Sequence, residues 1–567
     1  MMEGINASHG IGIGCVTLIE EQDISFEPQM IEDTEAEKER FRAALEQFKT
    51  VTAAMAQRVA ENIDEKKAEI LNGQLIMVSD PSMSSEMEKM IDNGTCAENA
   101  VGAVCDMFIQ IFSNMEDELM SQRATDIGDI KTRLIKILLG IEEPDIAALP
   151  KGTILVAHDL TPSMTSQINK ENVVGIITEI GGKTSHSAIL ARALEIPAVL
   201  SVPDITTLIK DGDTAIVDGS DGKIAINPDG ALLSKYITKR DDYLNAKAEL
   251  AKFKGKSTQT KDGMPLQVYC NIGTPQDATR AVECDGEGIG LFRTEFLFMN
   301  NTHLPTEEEQ FEAYKTATET MGDKEIIIRT LDIGGDKDIP YMNMKKEENP
   351  FLGYRAVRYC LGNPDIYKTQ LRALLRASAF GPIRIMVPLV TTIDELRAVK
   401  DLLETCKKEL DSEGLAYNAN IPVGVMMETA SASLIADLFA KEAAFFSIGT
   451  NDLTQYTMSV DRGNADVSYL YSGFQPSVLR SIRNIIQAAN EAGIPSGMCG
   501  ESAADPMMIP LLISFGLKEF SVNPVHVLAT RASIAKWTKE EADAVTEKVL
   551  SMDTESEIVA YLKSVTA

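Results

Sequence analysis

The chain has 567 residues, room for about four domains at roughly 150 residues each, and its 44% hydrophobic and 25% charged residues describe an ordinary soluble globular protein. Asp and Glu outnumber Lys and Arg by 85 to 54, a formal net charge of −31, which argues against a nucleic-acid binder and leaves room for a basic protein partner with salt-sensitive docking. Eight cysteines without CxxC or zinc spacing, no basic residue before Lys38 and no apolar run near about 18 residues lead us to expect a cytoplasmic protein without disulfides, signal peptide or membrane insertion.

Residues 1–28 alternate apolar and small residues, which predicts one or two strands with Gly turns. From Asp33 to about Leu139 the spacing becomes helical, with Thr34 and Glu37 as a candidate capping box and a break at Asp80–Pro81. Strand-like text resumes at 152–160 and runs to 228. The simplest arrangement is a β/α domain of residues 1–28 and 147–228 with a helical bundle, 29–146, inserted into it. Residues 229–262 read as a charged linker helix, able to carry a swivel. From 263 to 567, eight apolar strands, each followed by a helical pattern, predict a (β/α)8 TIM barrel. They are 267–273, 288–296, 325–335, 383–390, 421–430, 445–452, 494–501 and 519–524.

Two places carry chemistry. The first is GGKTSHSAILARALEIP, residues 181–197. An apolar strand pattern precedes it, Gly181 and Gly182 permit a sharp turn, and Thr184 and Ser185 are N-cap residue types. His186 therefore sits at or near a helix N-terminus, where free N–H groups favour an anion and disfavour imidazolium. A neutral imidazole beside an anion cradle suits a histidine that becomes phosphorylated; a capping or purely structural histidine would leave the same text. His158 has a structural reading, and His303 and His526 read as surface or loop residues.

The second place is the C-terminal rim of the barrel. Arg293, Arg329, Glu428, Asn451, Asp452 and Cys499 fall at strand ends, with Arg355 and Arg462 in nearby loops. Converging arginines form a receptor for a small, highly anionic molecule. Two carboxylates among them would repel a bound phosphate unless a hard cation such as Mg²⁺ lay between. The competing reading is that these groups simply pair with one another. Cys499 reads either as a buried small hydrophobe or as a proton donor with a tuned pKa.

With both places in view, the chain resembles the Enzyme I family of the bacterial sugar phosphotransferase system, the phosphoenolpyruvate–protein phosphotransferases. The resemblance runs through nearly the whole chain in order, in GGKTSHSAILAR, GIGLFRTEFLFM (288–299), RTLDIGGDK (329–337), NPFLGYRA (349–356), SIGTNDLTQY (447–456), DRGN (461–464) and MCGE (498–501). It implies that His186 Nε2 attacks the phosphorus of phosphoenolpyruvate, with Mg²⁺ on Glu428 and Asp452. It further implies that Arg293, Arg329 and Arg462, with the Asn451 region, hold phosphate and carboxylate, and that Arg355 stabilises the transferring group. Cys499 would protonate the methylene carbon, and Thr165 would orient the histidine. The phosphoryl group would pass to the carrier protein HPr, docked on the inserted bundle, and the barrel would form a homodimer.

The chain departs from the family pattern at His9, where proline is expected, at 467–478 (VSYLYSGFQPSV), and at Ser502 and Ala504, where Met and Gly are expected. An ATP-dependent phosphoenolpyruvate synthase or dikinase shares the swivelling domain and barrel. It needs a large nucleotide-binding domain before the histidine, and the text there is helical, without a P-loop signature. An interaction protein that had lost the chemistry would lack some of Glu428, Asp452, Cys499 and the arginines; all are present. A nitrogen-regulatory relative would carry an extra N-terminal sensory domain.

Overall fold

The computed structural model describes all residues except 20–23, 25, 27, 28, 63, 64, 114–117, 142–144, 183, 184, 300, 335–338, 343 and 567, and the backbone alone at 61, 62, 65–67, 70, 113, 118–122, 186, 193 and 340. It divides into two units, Met1–Lys247 and Ala248–Ala567.

In the first unit, the alternating N-terminal text forms three strands rather than one or two: β1 (Met2–Glu3), β2 (Ile5–Ser8) and β3 (Ile11–Ile19). The later strands are β4 (Thr153–Ala157), β5 (Val173–Thr178), β6 (Ala198–Leu200), β7 (Thr214–Asp218) and β8 (Lys223–Ile226). They join in one mixed sheet of order β1-β8-β7-β3-β4-β5-β6-β2. β3 to β6 run parallel, so their apolar runs are covered on both faces.

Between β3 and β4 the chain leaves the sheet to build helices α1 (Thr34–Asn62), α2 (Glu65–Val78), α3 (Pro81–Asp92), α4 (Ala97–Ser113) and α5 (Glu118–Leu139). It returns to pair β4 directly beside β3, Cys15 against Thr153, so the bundle is an insertion that leaves the sheet intact. Phe41, Phe48, Ile91, Val101 and Leu134 fill its core. The break at Asp80–Pro81 is the start of α3, with Pro81 in the first turn and the Asp80 carboxylate accepting from the Ser82 amide at 2.8 Å. The expected Thr34–Glu37 capping box is not what begins α1. Asp33 accepts from the Ala36 amide instead, because Glu37 is drawn away to Arg40 at 2.7 Å and to the Ala97 amide at 2.7 Å.

After β4 come α6 (Pro162–Ser166), α7 (His186–Leu194), α8 (Ile205–Leu208) and the long, mostly exposed α9 (Gly230–Ala251). The second unit is a closed barrel of parallel strands β9 (Gln267–Ile272), β10 (Ile289–Arg293), β11 (Ile326–Arg329), β12 (Ile383–Val387), β13 (Val423–Met427), β14 (Phe446–Ile448), β15 (Ser496–Met498) and β16 (Glu519–Val522). β16 pairs with β9 to close it, Glu519 opposite Gln267 and Val522 opposite Cys270. The expected strands are all present and shorter at their ends, where the polar text turns out of the barrel. Leu291, Ile327, Met386, Met426, Phe445 and Cys499 pack together inside the barrel. All eight cysteines are free thiols. Among the described residues no helix is long and apolar enough to cross a membrane.

Candidate functional site

In the first unit, β5 ends at Thr178 and the chain turns through Gly181, whose φ of +121° only glycine adopts without strain. Ser201 donates to the Gly181 carbonyl at 2.5 Å and holds the turn against the sheet. Ser185 is the N-cap of α7, its hydroxyl accepting from the Ala188 amide at 3.3 Å. Thr184, the other residue expected there, lies outside the described residues. The His186 backbone is the first residue of the helix, which puts it at the positive end of the helix dipole; its side chain lies outside the described residues. Thr165 is fully buried in α6, and its hydroxyl donates to the Pro162 carbonyl at 2.9 Å. His158 stands 3.8 Å from Glu179.

Helix α6 is fastened to the bundle. Asp129 of α5 accepts from the Ser163 amide and hydroxyl, each at 3.0 Å, and from Gln74 of α2 at 2.7 Å. Arg133, one turn on, donates to Gln74 and Thr52 and lies 4.6 Å over the Phe48 ring. A guanidinium only 2% exposed is tolerable here because its donors are occupied and its face is stacked.

In the barrel, the C-terminal strand ends bring together most of the residues expected there. Arg329 ends β11 with its guanidinium 2.6 Å from Glu295 and 2.8 Å from Asp332. Arg355 reaches the other oxygen of Asp332 at 2.7 Å and Asp452 at 3.5 Å. Burial works against the charge on both arginines, yet the neighbouring carboxylates outweigh it and hold them protonated. Among the described residues the Nε of each is buried without an acceptor, so donor capacity remains for an anion.

Glu428 follows β13, fully enclosed, with Oε1 accepting the Leu389 amide at 2.7 Å. Burial first, then Asp452 and Asp332, push its carboxyl well above the ordinary range. Asp452 lies in the helix Thr450–Met458 that begins just after β14; its Oδ1 is buried with no hydrogen-bond donor among the described residues and stands 3.7 Å from Arg462. Two crowded carboxylates, one with an orphaned oxygen, form a hard-oxygen donor set that fits Mg²⁺, which takes one or two protein carboxylates and completes its shell elsewhere. Among the described residues no cluster of three or more His, Cys, Asp or Glu could hold a metal alone.

Cys499 follows β15, with its thiol donating to the Ile448 carbonyl at 3.7 Å. Burial pushes it up to about 11, partly offset by the Ser447 hydroxyl and Arg329. It therefore carries its proton at neutral pH. Arg293 ends β10, half-buried, with no hydrogen bond or ion pair among the described residues. Arg462 is exposed, and the Asn451 carbonyl accepts from Tyr471 at 3.1 Å. Tyr471 belongs to the departing segment 467–478, which thus packs against the helix bearing Asn451 and Asp452.

Three family models match the chain. A PEP-utilising enzyme N-terminal domain matches residues 3–123, a mobile domain 149–222 and a PEP-binding domain 247–539. The chain is 46% identical over 563 residues to the phosphoenolpyruvate-protein phosphotransferase of Bacillus subtilis (strain 168), covering 99% of each. The chain belongs to the phosphoenolpyruvate-protein phosphotransferase family. Relatives of the same name from Listeria innocua and Staphylococcus carnosus are 42% and 43% identical, each match covering 100% of this chain and 99% of the relative. His186 and Thr165 fall within the mobile-domain match, and the barrel residues within the PEP-binding match.

Four further groups stand at the mouth beside the residues expected from the sequence. Asp332 bridges Arg329 and Arg355, and Glu295 holds Arg329. Tyr456 lies 3.5 Å from Arg355, and Asn271 donates to the Cys499 carbonyl at 3.1 Å. Asp332 and Glu295 carry the signal that revealed the arginines, a charge just beyond an apolar strand; Tyr456 and Asn271 carry none.

Proposed function

We propose that this chain takes the phosphoryl group of phosphoenolpyruvate onto His186 and passes it to a histidine of the carrier protein HPr, the first step of phosphotransferase sugar uptake. The observation that carries the reading is family membership along the full chain, supported by an arginine-rich mouth beside a proton-bearing thiol. The protein acts in the cytoplasm, as a homodimer through its barrel.

Arg293, Arg329 and Arg462, with the Asn451 region, bind the phosphate and carboxylate of the substrate. Asp332 and Glu295 keep Arg329 aimed at the mouth, so little reorganisation is needed as charge moves. Glu428 and Asp452 hold Mg²⁺, which when bound neutralises phosphate charge. A nitrogen lone pair of His186 forms the bond to phosphorus while the bond from phosphorus to the enol oxygen breaks, and Arg355 stabilises the group in flight. The electron pair left on the enolate takes a proton at the methylene carbon from Cys499, which gives pyruvate. Thr165, whose hydroxyl donates a hydrogen bond to the Pro162 carbonyl, orients the imidazole. Phosphohistidine then donates to HPr docked on α1 to α5, and the linker helix lets the histidine domain swivel between the two partners.

Incubation with labelled phosphoenolpyruvate and Mg²⁺, with and without HPr, tests this. Acid-labile label on the wild type, absent from His186→Ala and chased onto HPr, is expected. Label from ATP but not from phosphoenolpyruvate would move the chain to the dikinases.

A further inference from the structure

The opposite end of the barrel, where the strands begin, surrounds a cavity of about 130 Å³. Its floor is Glu519, the first residue of β16, only 9% exposed. This carboxylate makes no hydrogen bond or ion pair with the described residues, and its Oε1 is buried without a donor. The barrel makes room for it with two glycines inside strands: a side chain at Gly290 would run into its Oε1 and the Ser521 hydroxyl, and one at Gly497 into its whole carboxyl group. Glycine inside a strand costs stability, and a close approach is the usual reason for it. Tyr269, 4% exposed, lies in the fields of Glu325 and Glu519, and its hydroxyl has no hydrogen-bond partner among the described residues. Glu325 is satisfied by Arg384 at 2.5 Å, and Arg384 stacks 5.5 Å over Phe445. At the rim Lys518 is exposed and has no ion-pair partner among the described residues.

A buried carboxyl at the floor and a hydroxyl beside it, both without partners among the described residues, and a cation at the rim give the cavity one polarity. Its volume is the liquid share of about four waters, which admits a molecule of a few heavy atoms. We propose that this floor binds a small zwitterion, an α-amino acid of glycine or alanine size, with its ammonium on Glu519 and Tyr269 and its carboxylate toward Lys518. A primary ammonium offers three donors, which suits a carboxylate and a phenol oxygen that lack them. With Glu325 already paired to Arg384, Glu519 falls short of a divalent-cation cage among the described residues. Burial, with Glu325 close by, pushes the Glu519 carboxyl up to about 8, and a bound ammonium relieves that cost.

Equilibrium dialysis of the full-length protein with radiolabelled glycine or L-alanine tests the site. Saturable binding of one per chain is expected, undisplaced by excess phosphoenolpyruvate. It should weaken at least tenfold in Glu519→Gln and several-fold in Lys518→Met. No saturable binding, displacement by phosphoenolpyruvate, or unchanged affinity in both variants would overturn the proposal and leave a hydrated, protonated carboxyl. Should Glu519→Gln not fold, the exposed Lys518→Met decides alone: unchanged affinity refutes the site.

Discussion

Asp129 in the bundle accepts both the amide and the hydroxyl of Ser163, each at 3.0 Å, across the boundary between the inserted helices and the β/α domain. Ser163 lies two residues before Thr165 in α6, so one buried carboxylate ties the surface proposed to dock HPr to the helix proposed to orient His186. Removing a buried, fully bonded carboxylate leaves the donors of Ser163 and Gln74 unanswered. Asp129→Ala should lose about 2–4 kcal/mol, seen as a lower urea midpoint for the isothermal unfolding of the full chain.

Cys499 tests the chemistry of the mouth. Its raised pKa keeps the thiol protonated, and serine preserves the shape while offering a far poorer acid. Cys499→Ser should form pyruvate roughly 10²–10⁴ times more slowly, with phosphoenolpyruvate affinity within a few-fold of wild type by calorimetry. An unchanged rate would remove the thiol from the reaction.

Glu428 and Asp452 test the metal assignment. Glu428→Gln and Asp452→Asn remove a hard charged ligand with little change in volume. Each should raise the Mg²⁺ concentration for half-maximal phosphorylation of His186 by tenfold or more, with unchanged far-ultraviolet circular dichroism. A variant with the wild-type Mg²⁺ requirement would show that its carboxylate is not a ligand.

Glu519 gives a pH signature of stability. Its folded-state pKa of about 8 stands above the ordinary 4.5, so folding binds an extra proton between those values. Below pH 4.5 the carboxyl is protonated in both states. As pH rises toward 8 the unfolded chain ionises first, and the folded state loses stability. Glu519→Gln should therefore match wild type near pH 4 and exceed it by roughly 2–4 kcal/mol at pH 8.5, read from denaturant midpoints. A difference independent of pH would contradict the raised carboxyl.

Local pattern was enough for much of this molecule. The eight apolar runs from Gln267 to Val522 declare buried parallel strands because both faces of each must be covered. The text around His186 declares a strand, a glycine turn and a helix start because backbone conformation and capping depend on neighbours in sequence. The arginines and carboxylates of the mouth were visible as charges directly after apolar runs. The pairing among them was not: periodicity says which face a residue occupies, and only closure of the barrel brings Asp332 between Arg329 and Arg355. The same holds for α1, where tertiary contacts with Arg40 and Ala97 took Glu37 out of the capping box that Thr34 suggested. Asp129 and Ser163 lie 34 residues apart, and Glu519 lies far in sequence from Gly290. No local rule links such pairs, because their interaction exists only once long-range packing has excluded water from the space they share. Sequence by itself determined the strands, the helices and the chemistry available; the tertiary structure decided which charges are paired, which are left to a ligand and which are buried alone.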